Sequence, residues 1–202
     1  EIKYVVDTDI RGFFDHVDHE WLMKFLQHRI ADPNILRLVA RFLRSGIIEA
    51  GIEYDTTEGT PQGGCCSPIL GNLYLHYVLD LWFEKRVRRN CKGKAYMVRY
   101  ADDSIFCFQY EEDAKEFYSQ MIERLGKFNL EVADEKTKII TLNKENGKDN
   151  DEDGGGSKRT NSFDFLGFTH YMGKDKNGAK RIKRKTSKKK YKASLLRCKE
   201  WI

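Results

Sequence analysis

The sequence has no Cys-x-x-Cys spacing, and its five cysteines (Cys65, Cys66, Cys91, Cys107 and Cys198) are odd in number. That argues against a zinc site and against a disulfide framework, so a reducing cytoplasm is the expected setting. No apolar run is long enough to cross a bilayer, so no membrane partner is expected. No internal repeat is present. There is neither a signal peptide nor an initiating Met. The chain opens directly in strand-like residues and stops inside a helical pattern at Trp201-Ile202. Both ends therefore read as cut, and the expectation is one part of a larger protein.

Of the 202 residues, 40% are hydrophobic, enough for a core. The net charge of +5 hides an asymmetry. Residues 158–202 hold 15 Lys/Arg against 3 Asp/Glu, whereas residues 1–157 hold 21 against 28. Within Lys180–Lys192, nine of thirteen residues are basic. Such a block is either a solvated face or a phosphate-binding surface. Its alternation with Ile182, Tyr191 and Leu195 favours the second.

Two carboxylate clusters carry the chemistry. Residues 99–103 read Arg-Tyr-Ala-Asp-Asp, between the apolar runs 95–98 and 104–108. Both runs are rich in aromatic and β-branched residues, so they read as strands joined by an acidic turn. Adjacent like charges repel unless a cation lies between them. Hard oxygen ligands on a tight turn suit Mg²⁺. Upstream, Lys3 to Asp9 has strand character, and alternation puts Val5, Asp7 and Asp9 on one face. The pattern alone does not choose between Asp7 and Asp9 as a ligand. One of them beside the Asp102-Asp103 hairpin gives three carboxylates around two ions, the arrangement for in-line nucleotidyl transfer.

The remaining pattern places these segments. Asp18 caps a helix through Ile30, and Pro33 begins a second that Gly46 ends. Residues 47–55 read as a short hairpin, and 56–66 as a polar, Gly-rich loop. Ser67-Pro68 starts a long helix reaching Val87, and Glu111–Phe128 gives another. Residues 143–161 have a disordered composition. Residues 163–171 read as strand, 173–178 as a turn, and Thr186 or Ser187 as the cap of a last, basic helix. Strands at 3–9, 95–100, 104–108 and 138–142 with helices between them give an α+β fold. Its antiparallel sheet has helices packed on one face and the other face free for carboxylates and nucleic acid.

Five segments in order resemble the motifs of reverse transcriptases: Asp9-Ile-Arg-Gly-Phe-Phe14-Asp15, Gly59-Thr-Pro-Gln62-Gly63-Gly64-Cys-Cys-Ser67-Pro68, Tyr100-Ala-Asp102-Asp103, the stretch from Leu130 to Lys138, and Phe163-Asp-Phe165-Leu166-Gly167-Phe168. The Pro-Gln-Gly-Gly and Phe-Leu-Gly-Phe forms, with the basic tract after them, are similar to group II intron-encoded proteins. The resemblance implies a polymerase palm over residues 1–172, with fingers missing upstream. Residues 173–202 would then be a basic segment leading into a helical thumb.

It further implies that Asp9, Asp102 and Asp103 hold two Mg²⁺ ions, leaving Asp7 in a structural or outer-shell role. Phe14 would crowd a 2′-hydroxyl, while Gln62 and Gly63 lie beside nucleotide and template. Lys136 would serve the leaving group, Leu166-Gly167 would grip the primer, and Lys188, Lys189 and Lys190 would bind nucleic acid. Implied partners are an RNA template, a DNA primer, deoxynucleoside triphosphates and intron RNA. Cys65-Cys66 departs from the usual aliphatic pair, with packing expected to survive. Two other readings remain: an RNA-binding splicing scaffold without turnover in this fragment, and a reverse transcriptase of a retron, diversity-generating or phage-defence system.

Overall fold

The structure, a computed structural model, describes residues 1–44, 47–49, 52–54, 58–60, 66–133, 135, 137–142 and 162–201. The elements in chain order begin with β1 (Tyr4–Thr8), a 3-10 turn (Phe13–Asp15), α1 (His19–Gln27), α2 (Pro33–Arg44), β2 (Ile47–Glu49) and β3 (Ile52–Tyr54). Then come α3 (Ser67–Leu75), α4 (Arg88–Asn90), β4 (Ala95–Tyr100), β5 (Asp103–Phe108), α5 (Glu111–Gly126) and β6 (Lys138–Thr141). The chain closes with β7 (Ser162–Phe165), β8 (Phe168–Lys174), β9 (Lys180–Thr186) and α6 (Lys188–Glu200). Among the described residues no helix is long and apolar enough to cross a membrane.

Val5, Val6 and Thr8 are all buried, and a strand buried on both faces belongs inside a sheet. β1 indeed lies between β5 and β6, in an antiparallel sheet of order β4-β5-β1-β6. Alternation divides its residues. Val6, Phe106 and Phe108 face the main core with α1, α3 and α5. There Phe106 and Phe117 lie 4.4 Å apart, with Phe83 against both. This is the expected helical layer.

The opposite face is not free, which corrects the sequence expectation. Val5, Ile105, Ile140 and Leu142 form a second cluster with Phe163, flanked by Phe165 and Met172. The cause is a three-stranded sheet, β7-β8-β9, that covers this part of the palm. The basic tract 180–186, read only as a charged segment, is its third strand. The turn before it is shorter than expected. Asp175 accepts the amides of Asn177 and Ala179, each at 2.9 Å, and Gly178 supplies a φ of +79°.

Asp18 caps α1, its carboxylate accepting the Trp21 amide at 2.9 Å. The helix stops at Gln27 rather than Ile30, where the His28 and Arg29 amides tighten onto the Phe25 and Leu26 carbonyls, three residues back, at 3.3 and 2.9 Å. Gly46 lies outside the described residues, as does the stretch 143–161 expected to be disordered. Ser187, not Thr186, caps α6.

The helix starting at Ser67 runs to Asn90, with two π-helical segments, His76–Asp80 and Phe83–Val87. A π turn weakens the local ladder. Arg124 of α5 compensates, donating from Nε to the Val78 carbonyl at 2.9 Å and from Nη2 to that of Tyr77 at 3.2 Å.

Candidate active site

The register of β1 against β5 pairs Val5 with Cys107, Asp7 with Ile105 and Thr8 with Ser104. Carried one pair further, it sets Asp9 across from Asp103. Thr8 Oγ1 and Ser104 Oγ, both buried, lie 3.1 Å apart and lock that register beneath the carboxylates. β1 ends at Thr8. Asp9 holds its place through other bonds: its carbonyl accepts the Ala133 amide at 2.9 Å, and Ile10 bridges to Val132. Arg11 reinforces this seam with ion pairs to Glu131 and Glu135 at 3.6 and 3.2 Å. Ala133 is thereby held beside Asp9, and Glu135 beside Arg11. Lys136 itself lies outside the described residues.

Tyr100 pairs with Asp103, leaving Ala101 and Asp102 as a two-residue turn. Ala101 has a φ of +54°. The turn between β7 and β8 has a matching device. Phe165 pairs with Phe168, and Leu166 and Gly167 between them have φ of +50° and +79°. Positive φ at both positions is the tight hairpin geometry that follows the strand twist. A Cβ on Gly167 would stand 2.8 Å from Lys190 Cδ, which the flexible lysine could yield, but the φ of +79° itself favours glycine here. The Ser187 amide donates to the Gly167 carbonyl at 3.0 Å. Lys190 thus rests at the Leu166-Gly167 turn, its Nζ 5.9 Å from the Phe168 ring centroid. Lys188 and Lys189 are exposed beside it.

These pieces meet in one cavity of about 190 Å³, lined by Asp7, Thr8, Asp9, Asp103, Ser104, Asp164, Phe165 and Leu166. A larger open hollow of about 640 Å³ at Lys92, Tyr110, Glu111, Glu112 and Lys115 holds none of the motif residues. Asp9, Asp103 and Leu166 are brought together; Asp102, half-buried in the turn, is not among the lining residues. Two carboxylates join that were not expected in the cavity. Asp7, to which the resemblance gives a structural or outer-shell role, lines the cavity itself. Asp164 was passed over, although it is the acidic residue between Phe163 and Phe165.

Burial first, then the charges of Asp103, Asp164 and Asp9, push the Asp7 carboxyl up to about 6, against the pull of Lys138. That excess of negative oxygen donors suits a hard divalent cation. Among the described residues, no three acidic, His or Cys side chains already stand close enough to form a metal cage. An acid whose folded pKa lies above its ordinary value gives stability at low pH that is lost as pH rises through the folded pKa. In chelator-treated protein, Asp7→Asn is expected to melt above the parent at about pH 7.5 and level with it at about pH 4. Equal melting temperatures at both pH values would remove the burial penalty.

Phe14 sits in the 3-10 turn. Phe13 is buried and Phe14 half-buried, with ring centroids 5.0 Å apart. Both rings lean on Gly71 of α3. The Phe14 carbonyl accepts the Thr60 amide at 2.8 Å, and the Gly59 carbonyl accepts from His19 Nε2. The Gly-rich motif is thus anchored at Gly59 and Thr60. Gln62 and Gly63 fall outside the described residues, and Cys66 is exposed rather than packed.

Among curated proteins, the chain is 40% identical over 83 residues to the group II intron-encoded protein LtrA of Lactococcus lactis subsp. cremoris. That match covers 39% of this chain and 14% of the relative. It is 30% identical over 170 residues to protein YkfC of Escherichia coli K12, covering 70% of this chain and 44% of the relative. The chain therefore spans less than half the length of either. The fold is similar to a solved telomerase from Candida tropicalis, with a TM-score of 0.65 at 16% identity over 91% of this chain and 36% of that one. A telomerase from Candida albicans gives 0.61 at 15% identity over 83% and 29%. The family described as "Reverse transcriptase (RNA-dependent DNA polymerase)" matches residues 1–170. With an α+β palm beneath an acidic cavity and a family match over most of its length, this chain belongs to the reverse transcriptase family.

Proposed function

We propose that this chain is the palm of an RNA-directed DNA polymerase of the group II intron-encoded kind, copying an RNA template onto a DNA primer with deoxynucleoside triphosphates. The observation that carries the reading is the cavity shared by Asp9, Asp103 and the primer-grip turn. Asp9, Asp102 and Asp103 would hold the metal, taken as two Mg²⁺ ions. Bound there, Mg²⁺ supplies Lewis acidity to the primer 3′-hydroxyl and charge neutralisation to the triphosphate. Leu166 and Gly167 admit the primer backbone to the cavity edge. Gln62 and Gly63 lie in the loop that flanks nucleotide and template, and Lys136 neutralises or protonates the leaving pyrophosphate. The primary test is extension of a DNA primer on an RNA template in Mg²⁺ by the full-length protein. No extension with folded protein would overturn the reading.

The basic segment is the nucleic-acid clamp of this proposal. On β9, Arg184 stands over Phe168 and Lys185 over Tyr171, while α6 presents Lys188, Lys189 and Lys190 from its first turn. Phosphate contacts release counterions, so affinity should fall steeply with salt. Changing Lys188, Lys189 and Lys190 to Gln is expected to weaken binding to all sequences alike and to flatten the salt slope by about one unit per lost contact. Titration of a labelled RNA–DNA duplex at several salt concentrations reads this directly. Identical slopes would make the tract a solvated face.

A second reading, a splicing scaffold that holds intron RNA without turnover, draws on the intron-encoded relatives and the same basic segment. It predicts intron RNA binding that survives loss of the metal-holding carboxylates.

A further inference from the structure

Arg99 stands three positions before Asp102, yet its charge is directed away from the acidic cavity. Its side chain is 11% exposed. Nε and Nη2 donate to the two carboxylate oxygens of Asp80 at 2.7 and 2.6 Å. Nη1 donates to Asn72 Oδ1 at 2.9 Å and to the Ala101 carbonyl at 2.7 Å. Asp80 closes the first π-helical segment, and His76 Nδ1 lies 3.5 Å from its Oδ2. A planar guanidinium with its fork filled this way has one orientation. Among the described residues, its remaining bond goes to the turn that carries the carboxylates. Ala101, at φ +54°, occupies a conformation that an alanine side chain disfavours.

We infer that Arg99 is a positioning residue: anchored on Asp80 and Asn72, it holds the Ala101 carbonyl so that the turn presents Asp102 and Asp103 to metal, while Asp80 keeps the guanidinium from pairing with those carboxylates. The inference rests on the reading of Asp102 and Asp103 as the metal-holding pair. Two separable effects follow. Removing the Asp80 charge frees Arg99 to compete with the cation for the nearest carboxylates. Removing Arg99 releases the turn, and glycine at position 101 then restores positive φ without a steric cost.

The test uses the full-length protein and two readouts: Mn²⁺ affinity from the free-ion electron paramagnetic resonance signal, and the Mg²⁺ dependence of primer extension. The variants are Asp80→Asn, Arg99→Lys, Arg99→Gln and Arg99→Gln with Ala101→Gly, each compared below its melting transition. Asp80→Asn and Arg99→Gln are expected to lose about tenfold in Mn²⁺ affinity, the low end for residues that orient metal ligands. Asp80→Asn should regain near-parental extension at saturating Mg²⁺, because the defect is competition. Ala101→Gly should recover part of the Arg99→Gln loss. If Arg99→Gln does not fold, Arg99→Lys and Asp80→Asn still decide the question. Unchanged Mn²⁺ affinity in folded variants would overturn the inference, and so would a loss that Ala101→Gly leaves untouched. A parent that binds Mn²⁺ through this clamp but extends no primer would instead sink the polymerase reading and leave the clamp standing.

Discussion

Changing Asp103 to Asn is expected to lower primer extension by about 10³-fold or more, with the fold and RNA affinity retained. An amide of the same shape keeps the hairpin but removes a charge the cation needs. Metal stabilisation of a transferring phosphoryl group is worth several kcal/mol, and each 1.36 kcal/mol is tenfold in rate. Asp9→Asn should match it, since Asp9 and Asp103 line the same cavity. Asp7→Asn should cost less than about tenfold, its pairing with Lys138 placing it deeper along the strand. Asp164→Asn ranks the remaining cavity carboxylate. Single-turnover extension, with duplex affinity measured alongside, gives the order. If Asp103→Asn extends as fast as the parent, the chemistry lies elsewhere.

The second large effect concerns sugar selection. Phe14→Ala is expected to raise ribonucleotide incorporation by about 10–100-fold relative to deoxynucleotides, the scale on which a steric change in a pocket discriminates. The half-buried ring also serves the core, so lost stability would cloud that result. Gly71 separates the two roles. A Cβ there would stand 2.8 Å from Phe14 Cε1 and 3.0 Å from Phe13 Cε1. Gly71→Ala keeps both rings and improves helix propensity, yet it must push Phe14 aside. It should therefore shift the ribonucleotide to deoxynucleotide ratio with no change at Phe14 itself. Competition between the two nucleotide types on one template reads the ratio. A ratio that moves in neither variant would leave Phe14 as core alone.

The palm strands were legible in the sequence because the runs 95–98 and 104–108, rich in aromatic and β-branched residues, flank an acidic turn, and Asp18 and Pro33 mark helix starts by local chemistry. β9 was not legible. Its Lys and Arg alternate without an apolar face, so periodicity carries no signal, and only pairing with β8 makes it a strand. The covered face of the palm was missed for the same reason: burying Ile105 and Ile140 depends on Phe163, far along the chain. Of the adjacent carboxylates that stood out in the sequence, Asp103 lines the cavity and Asp102 does not. Asp164 did not stand out, because one acidic residue between two aromatics reads as an exposed strand position until the two sheets are brought together. Arg99 read as part of a motif string, and its partners on the long helix are invisible to spacing.

The π-helical segment at His76–Asp80 gives residue number itself a meaning in this helix. A π turn takes up one residue more than an α turn. Deleting a single residue there would let the helix close into regular α geometry, with better-formed hydrogen bonds along its length. Wound as regular α-helix with no residue removed, the eight steps from Asn72 to Asp80 would instead overshoot two full turns by roughly 80°. Asn72 and Asp80 lie on opposite sides of that point, yet both reach one guanidinium. A tidier helix would lose one of them. In this chain the irregular spacing is the measure that lets one arginine be grasped from two turns at once.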